Sequence, residues 1–157
     1  MDEIISEINE AISRIGDRPG LCLYYAKETI AILRRHGLQA VIQAGSFQWP
    51  CLREDDGVSY THFAYMWNPT NPINVLAMAR GVLPEIHCWV GLVDRQEIVD
   101  FSIRHLKAAA AKQGVNWTAN DPPAYLWCGV NNIPDGVVYE PDMRASILAA
   151  MLMEIAE

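Results

Sequence analysis

Two strand-like runs separated by a short polar break most constrain the fold of this chain. Apolar side chains alternate along residues 85–92, and a second strand-like run covers residues 97–102. Alternation with a period of two is typical of β-strands, and a short break between two such runs indicates an antiparallel hairpin. We therefore expect an antiparallel sheet, with other segments of the chain covering its apolar face.

Segments with helical periodicity flank this hairpin on both sides. Apolar residues recur at helical spacing in residues 2–15 and again in residues 21–36, where they extend over more than one side. A helix that is apolar on several sides is usually buried, so the second helix is expected to be central, with Gly37 as its stop. Three further helical segments are predicted: 73–80, 103–113 and 142–156.

The remaining segments predict additional strands and one long irregular loop. Strands are expected at residues 38–44, 58–67, 124–130 and 137–139. Residues 45–57, which include Gln48 and Trp49, are expected to form the loop. The sequence contains no repeat, low-complexity tract or linker, so residues 1–157 predict a single α+β domain.

Charge and composition argue against several classes of partner. The chain has 12 Lys and Arg against 19 Asp and Glu and no basic stripe, so no nucleic-acid partner is expected. The longest nearly apolar stretch, residues 145–155, is shorter than the roughly 20 residues that cross a bilayer, so no membrane partner is expected. The acidic N-terminal residues do not resemble a signal peptide, and no two cysteines form a CxxC pair, which favours a cytoplasmic protein with reduced thiols.

Three residues from separate segments are candidates for nucleophilic chemistry: Cys22, His87 and Asp100. Cys22 follows Pro19 and Gly20 at the start of the second helix, where the helix dipole favours a thiolate and unpaired N–H groups can bind an oxyanion. His87 is assigned as general base or ion-pair partner of the thiol. Asp100 is assigned as the group that orients the imidazole and stabilises the imidazolium.

Hairpin geometry decides whether His87 and Asp100 can meet. A two-residue turn at Asp94 and Arg95 makes them diagonal neighbours on one face of the sheet, and a four-residue loop places them directly opposite. Both arrangements allow a hydrogen bond, whereas an odd-length loop without a bulge separates them onto opposite faces. Cys88 alternates onto the apolar face and is assigned to the core, so His87 and Asp100 are expected to project away from this face, the side that looks most like core.

Four stretches of this sequence carry a family resemblance: Gly20-Leu21-Cys22 entering a helix, 33–40 running into a strand, His87-Cys88-Trp89-Val90, and Ile98-Val99-Asp100-Phe101-Ser102. In the order of these motifs and the residue types around them, the chain resembles the transglutaminase-like branch of the papain-like cysteine superfamily, over about residues 20–102. The stretch 33–40 is also similar to the small peptidases that remove leader peptides from lasso precursors, a related subgroup.

The resemblance implies a fold and a chemistry. The fold would be a central helix carrying Cys22, packed on an antiparallel sheet that carries His87 and Asp100, with flanking helices. The chemistry would be hydrolysis or acyl transfer at a peptide or amide bond, through a thioester on the cysteine. No cofactor is expected for such a reaction.

The oxyanion donor and the substrate contacts are left open by the sequence. No glutamine stands just before Cys22, where papain-like proteases keep such a donor. The candidates are instead Gln43, Gln48 and the ring N–H of Trp49. Trp89, which alternates onto the histidine's face of its strand, is a candidate wall of the site.

Two alternative interpretations were weighed. In the first, the chain is an inert binding module that kept this fold without turnover, and Cys22 is a small core residue. In the second, Cys51, His62 and the adjacent His87 and Cys88 hold zinc. Neighbouring strand residues point to opposite faces and no pair has ligand-like spacing, so no metal is expected. The other two histidines are assigned to helix surfaces: His36 and His105.

Overall fold

The computed structural model describes residues 1–52, 62–80 and 85–155. These ranges contain five α-helices: α1 (Asp2–Ile15), α2 (Cys22–Arg35), α3 (Pro72–Ala79), α4 (Leu106–Lys112) and α5 (Met143–Ile155). They also contain six strands: β1 (Ala40–Pro50), β2 (His62–Tyr65), β3 (His87–Leu92), β4 (Glu97–Asp100), β5 (Leu126–Gly129) and β6 (Val138–Pro141). A short 3-10 helix, Ser102–His105, leads directly into α4. The chain is therefore an α+β protein.

The six strands form one antiparallel sheet in the order β2-β1-β3-β4-β5, with β6 paired to β1 as well. β1 is 11 residues long, and its two halves have different partners. Its first half pairs with β3, so that Ala40 lies opposite Leu92. Its second half pairs with β2 and β6, so that Phe47 lies opposite both Tyr65 and Tyr139. β1 thereby joins the central hairpin to a strand from the C-terminal part of the chain.

Helices α1 and α2 cover one face of the sheet because each has an apolar surface at helical spacing. Ile12 of α1 and Leu33 of α2 are fully buried, in one cluster with Val90 and Val99 of the central strands. α5 extends this layer, since the small side chain of Ala145 lies in a buried cluster with residues of β1 and β3. Burial of each large aliphatic side chain stabilises the folded state by about 1.5–3 kcal/mol.

The opposite face of the sheet is covered as well, by aromatic side chains and α4. Trp89 points to this face and clusters with Phe47 of β1 and Leu106 of α4. His87 and Asp100 belong to the same face, and each is only 3% exposed. As expected, these two side chains project to the face opposite Cys88 and Val90, and that face is itself buried, by aromatic side chains and α4.

The second half of β1 corrects the sequence-based prediction for its region. We predicted an irregular loop over residues 45–57, but β1 continues to Pro50. Two other strands, β2 and β6, supply partners for this half, and partners so distant in the chain leave no local pattern in the sequence. Residues 53–57 of the predicted loop lie outside the described residues.

Most other elements lie close to their predicted bounds. The helices predicted at 2–15 and 21–36 correspond to α1 and α2. The segment 103–113 starts as a 3-10 turn before it becomes α4. The strand predicted at 58–67 is observed as β2, and residues 58–61 are outside the described ranges. Within those ranges, no helix combines the length and the apolar character needed to span a bilayer.

Gly45 permits the close approach of β6 to β1, and this yields a stability prediction. A Cβ atom at residue 45 would collide with the backbone carbonyl of Glu140, which cannot move without disturbing strand pairing. We expect Gly45→Ala to lower the free energy of unfolding by about 1–3 kcal/mol in urea denaturation. Gly129→Ala on β5 is the matched control, because its Cβ would come no closer than 3.4 Å to any neighbour, the side-chain amide of Asn132. Equal losses in the two variants would contradict the role assigned to Gly45.

Candidate active site

Cys22 is the first residue of α2. Gly20 has a φ of 87°, a left-handed conformation that suits glycine and turns the chain into the helix. Leu21 at the N-cap offers no side-chain hydrogen bond, and the first turn of α2 contains no acidic residue. No side chain of these residues neutralises the positive end of the helix dipole, and the Cys22 thiol stands at that end.

His87 and Asp100 form a buried hydrogen bond across the β3–β4 hairpin. Val90 lies opposite Val99, a register that makes His87 and Asp100 diagonal neighbours on one face, as predicted for the shorter turn. His87 Nε2 lies 2.7 Å from Asp100 Oδ2. Such a short contact between buried groups is typical of a charged pair, and it leaves Nδ1 of the ring for another partner.

Three further hydrogen bonds hold the Asp100 carboxylate. The backbone N–H and the hydroxyl of Ser102 donate to Oδ1 at 2.8 and 2.7 Å. The hydroxyl of Tyr139 donates to Oδ2 at 2.9 Å, on the same oxygen as His87. Both oxygens therefore accept two hydrogen bonds each, which compensates for the removal of a charge from water.

Mutual stabilisation shifts the pKa values of His87 and Asp100 in opposite directions. Burial lowers the pKa of His87, but the charge of Asp100 and the hydrogen bond to it outweigh burial and raise that pKa to about 10. Burial raises the pKa of Asp100, whereas the charge of His87 and the donors of Ser102 bring it below its usual value. The two side chains are therefore an imidazolium and a carboxylate near neutral pH.

The Cys22 thiol contacts two side chains of β3, those of His87 and Cys88. The hydrogen bond from Cys88 lowers the pKa of Cys22 well below the usual value, burial opposes this, and His87 lowers it further. The same contact raises the pKa of Cys88 well above its usual value. Cys22 is the thiol that ionises, because it is partly exposed at a helix N-terminus while Cys88 is 1% exposed.

Aromatic side chains pack around the imidazole of His87. The ring centroid of Phe47 lies 4.3 Å away, and Tyr65 stacks at 5.7 Å with an interplanar angle of 14°. Trp89 stacks on it at 6.1 Å. Rings packed on several sides restrict rotation of the imidazole and so keep it directed at Cys22. Burial raises the pKa of Tyr65 to about 12, so that its hydroxyl stays neutral beside the thiolate.

A narrow cleft gives access to Cys22 and His87. The centres of water molecules can occupy about 30 Å³ within this cleft, so it admits small solutes. Its walls come from the turn before α2, from β2, and from the 3-10 helix and α4. They include Arg18, Leu21, Tyr65, His105, Leu106 and Ala109.

His105 lies in this cleft, so its assignment to a helix surface is wrong. The 3-10 turn before α4 brings His105 to α2, where its Nε2 lies 3.2 Å from the hydroxyl of Tyr25. The same nitrogen lies 2.8 Å from a carboxylate oxygen of Asp17, in the turn before Cys22. Together these contacts tie α4 to the segment that precedes the cysteine.

The four residues considered for oxyanion or substrate contacts are not among the described residues that line the cleft: Gln43, Gln48, Trp49 and Trp89. Oε1 of Gln43 accepts a hydrogen bond from the indole N–H of Trp89 at 2.9 Å, so each of these two groups already has a partner. Trp49 is 7% exposed, in the core between the sheet and α4. Gln48 lies on β1 in the half that pairs with β2 and β6. Trp89 stacks beside the imidazole and is 1% exposed.

The residues weighed for zinc lie at two separate places in the sheet: Cys51 and His62 at the paired ends of β1 and β2, and His87 and Cys88 at the start of β3. Cys51 is buried in the core beside Trp49, and His62 begins β2. Over residues 1–52, 62–80 and 85–155, no three His, Cys, Asp or Glu side chains converge as ligands for a metal ion.

Two donors to the Asp100 carboxylate were not predicted from the sequence. Ser102 follows Asp100 by two residues, the spacing of an Asx-turn, so a local signal for this contact existed. Tyr139 reaches the carboxylate from β6, which is positioned through its pairing with β1. No sequence pattern near Tyr139 indicates that contact.

Comparisons with known proteins do not assign the chain to a family. No protein-family model matches it, and no curated protein is significantly similar to it. Among solved structures, the chain is similar to the crystal structure of a genomics target, with 12% sequence identity and a TM-score of 0.46. That match covers 98% of this chain and 74% of the other chain. A likeness at this level carries no argument about chemistry.

The thiolate at Cys22 predicts a distinctive labelling profile. We expect iodoacetamide to modify Cys22 first, and to do so rapidly well below pH 8.5, the ordinary pKa of a thiol being about 8.5. Burial raises the pKa values of Cys51 and Cys128, so these serve as slow internal controls. His87→Ala should move the Cys22 profile to higher pH, because the imidazolium is lost. Labelling led by Cys51 or Cys128 would contradict the arrangement.

The hydroxyl of Tyr139 predicts a pH-dependent contribution to stability. Tyr139→Phe keeps the ring but removes one donor from a buried carboxylate, which should lower the free energy of unfolding by about 1–3 kcal/mol near neutral pH. The difference should shrink as pH falls through the lowered pKa of Asp100, since the ionised form is the one that needs the donor. Tyr24→Phe, at a residue 41% exposed, is the control. Equal stability of wild type and Tyr139→Phe in urea denaturation would refute the contribution.

Proposed function

We propose that this chain is a cysteine-nucleophile hydrolase or acyltransferase that acts at a peptide or amide bond. The observation that carries the proposal is the position of the His87 ring, which contacts Cys22 on one side and the buried carboxylate of Asp100 on the other. A helix that starts with the cysteine and packs on an antiparallel sheet also supports the transglutaminase-like, papain-like type that the sequence resembles.

The proposed reaction begins with attack of the Cys22 thiolate on the carbonyl carbon of the substrate. The carbonyl π electrons move to oxygen and give a tetrahedral oxyanion. As this intermediate collapses, the carbon–nitrogen bond breaks, His87 donates its Nδ1 proton to the leaving nitrogen, and a thioester remains on Cys22. His87 then accepts a proton from water or from an amine, which attacks the thioester and releases the thiolate.

The oxyanion would form at the N-terminus of α2. The first-turn N–H groups of Cys22 and Leu23 have no intrahelical acceptor, and Leu21 provides no side-chain cap. Such groups are donors for developing negative charge, and the helix dipole adds to their effect. Backbone donors fit the structure better than the side chains of Gln43 or Trp49, which lie away from the cleft.

The narrowness of the cleft favours a second candidate function, an inert binding module on the same fold. About 30 Å³ is open to the centres of water molecules, so the cleft has little room for a peptide beside Cys22. A protein whose cleft admits only small solutes would turn over no peptide.

Turnover of an activated ester followed by peptide amides distinguishes the two candidates. An enzyme should release more than one equivalent of nitrophenol from p-nitrophenyl acetate, pass through an acyl-Cys22 species seen by intact-mass spectrometry, and cleave members of a fluorogenic peptide library. Cys22→Ala should abolish all three signals and retain a cooperative unfolding transition. Asp100→Asn should reduce kcat by up to about 10⁴-fold, because the amide favours the wrong imidazole tautomer.

Cys128→Ser is the matched control, because it removes a thiol that lies on β5. Acylation that stops after one equivalent, with no peptide cleaved, would identify the binding module. Loss of folding in Cys22→Ala would instead mean that Cys22 is a core residue.

A further inference from the structure

Cys22 and Cys88 are two thiols in direct contact. Their side chains share a hydrogen bond, and Cys22 packs against the buried cluster that contains Cys88. The contact follows from the fold, because the start of α2 lies against the start of β3. Both cysteines are free thiols in the structure.

The two thiols differ in their access to solvent, as expected for one thiol that reacts first and a second that then attacks it. Cys22 lines the cleft, where a small solute can reach it, while Cys88 is 1% exposed. Cys51 lies in a separate buried cluster on the other face of the sheet, and Cys128 packs against that same cluster. Neither of these thiols has a contact with Cys22 comparable to that of Cys88.

We infer that Cys88 is the resolving thiol of Cys22, and that oxidation by a peroxide links the two residues in a reversible disulfide. This reaction requires the exposed thiolate and its buried neighbour, and it does not require turnover of any substrate. The inference therefore holds for either candidate function.

The oxidation proceeds in two balanced steps. The Cys22 thiolate attacks one oxygen of hydrogen peroxide, the O–O bond breaks, and the products are a sulfenic acid on Cys22 and hydroxide, which becomes water by taking up the proton that the Cys22 thiol released on ionisation. The sulfur of Cys88 then attacks the Cys22 sulfur, the S–O bond breaks, and the departing hydroxide takes the Cys88 proton as water. In sum, two thiols and one peroxide give one disulfide and two waters. A dithiol reduces this disulfide to the two free thiols by thiol–disulfide exchange and is itself oxidised to a disulfide.

The disulfide would switch the site off and protect it. With its sulfur bonded to Cys88, Cys22 has no thiolate for attack on a carbonyl carbon. The same bond prevents further oxidation of the sulfenic acid to sulfinic and sulfonic acids, which thiols do not reverse.

Peptide mapping under non-reducing conditions tests the inference directly, because trypsin places each cysteine in a different peptide: 15–27, 36–53, 81–95 and 113–144. The reduced full-length chain is treated with roughly one to three equivalents of hydrogen peroxide, and free thiols are then blocked with N-ethylmaleimide. We expect the peptide with Cys22 to be linked to the peptide with Cys88. Iodoacetamide labelling of Cys22 should be lost on peroxide treatment and restored by dithiothreitol.

Two variants test whether Cys88 is the thiol that reacts with oxidised Cys22. In Cys88→Ser, peroxide should convert Cys22 to sulfinic and sulfonic acids that dithiothreitol does not reverse, whereas Cys128→Ser should behave as wild type. A wild-type map in which Cys22 is unlinked, or is linked to Cys51 or Cys128, overturns the inference. If Cys88→Ser does not fold, the wild-type map alone decides.

The same experiment separates this inference from the proposed function. A Cys22–Cys88 disulfide in a protein with no turnover contradicts only the proposed function. Turnover in a protein that never forms this disulfide contradicts only the inference about Cys88.

Discussion

The buried hydrogen bond between His87 and Asp100 is the interaction on which this site depends. Removing an ionised carboxylate from water costs several kcal/mol unless partners replace the lost hydration. Asp100 is compensated in full, by His87, by Tyr139 and by two donors of Ser102. These donors come from β3, β6 and the 3-10 helix, so that satisfying one carboxylate fixes three elements relative to β4. The orientation of His87 toward Cys22 follows from that fixed frame.

β1 connects this frame to the rest of the fold. Its first half holds β3, which carries His87, and its second half holds β6, which carries Tyr139. Phe47, at the centre of the second half, packs on the rings of both His87 and Tyr139. Gly45 marks the point where the two halves meet, and the lack of a side chain there admits the backbone of β6. The geometry of the charged pair therefore depends on the pairing of β1 with both β3 and β6.

The elements that could be predicted from the sequence are those whose structure depends on residues close together in the chain. The periodicity of α1 and α2 and the parity of the β3–β4 hairpin depend on neighbouring residues, so the helices and the possible registers that bring His87 to Asp100 could be predicted, and the structure has the register of the shorter turn. The second half of β1 was missed because Gly45 and Pro50 disfavour a strand locally, while its partners β2 and β6 are distant in sequence. Tyr139 was missed for the same reason. The burial of Asp100 required knowledge of both faces of the sheet.

Cys88 shows how one residue serves two physical demands. As a small, nearly apolar side chain it fills the packed space between β3, α2 and α5, a role that alanine or valine would also meet. A hydrogen bond to the Cys22 thiolate needs a donor at the same place, which excludes both alternatives but admits serine. Serine, however, forms no bond to an oxidised sulfur. Among side chains of this size only cysteine packs there, donates to the thiolate and can resolve its oxidised form, so reactivity and protection at Cys22 rest on the same neighbour.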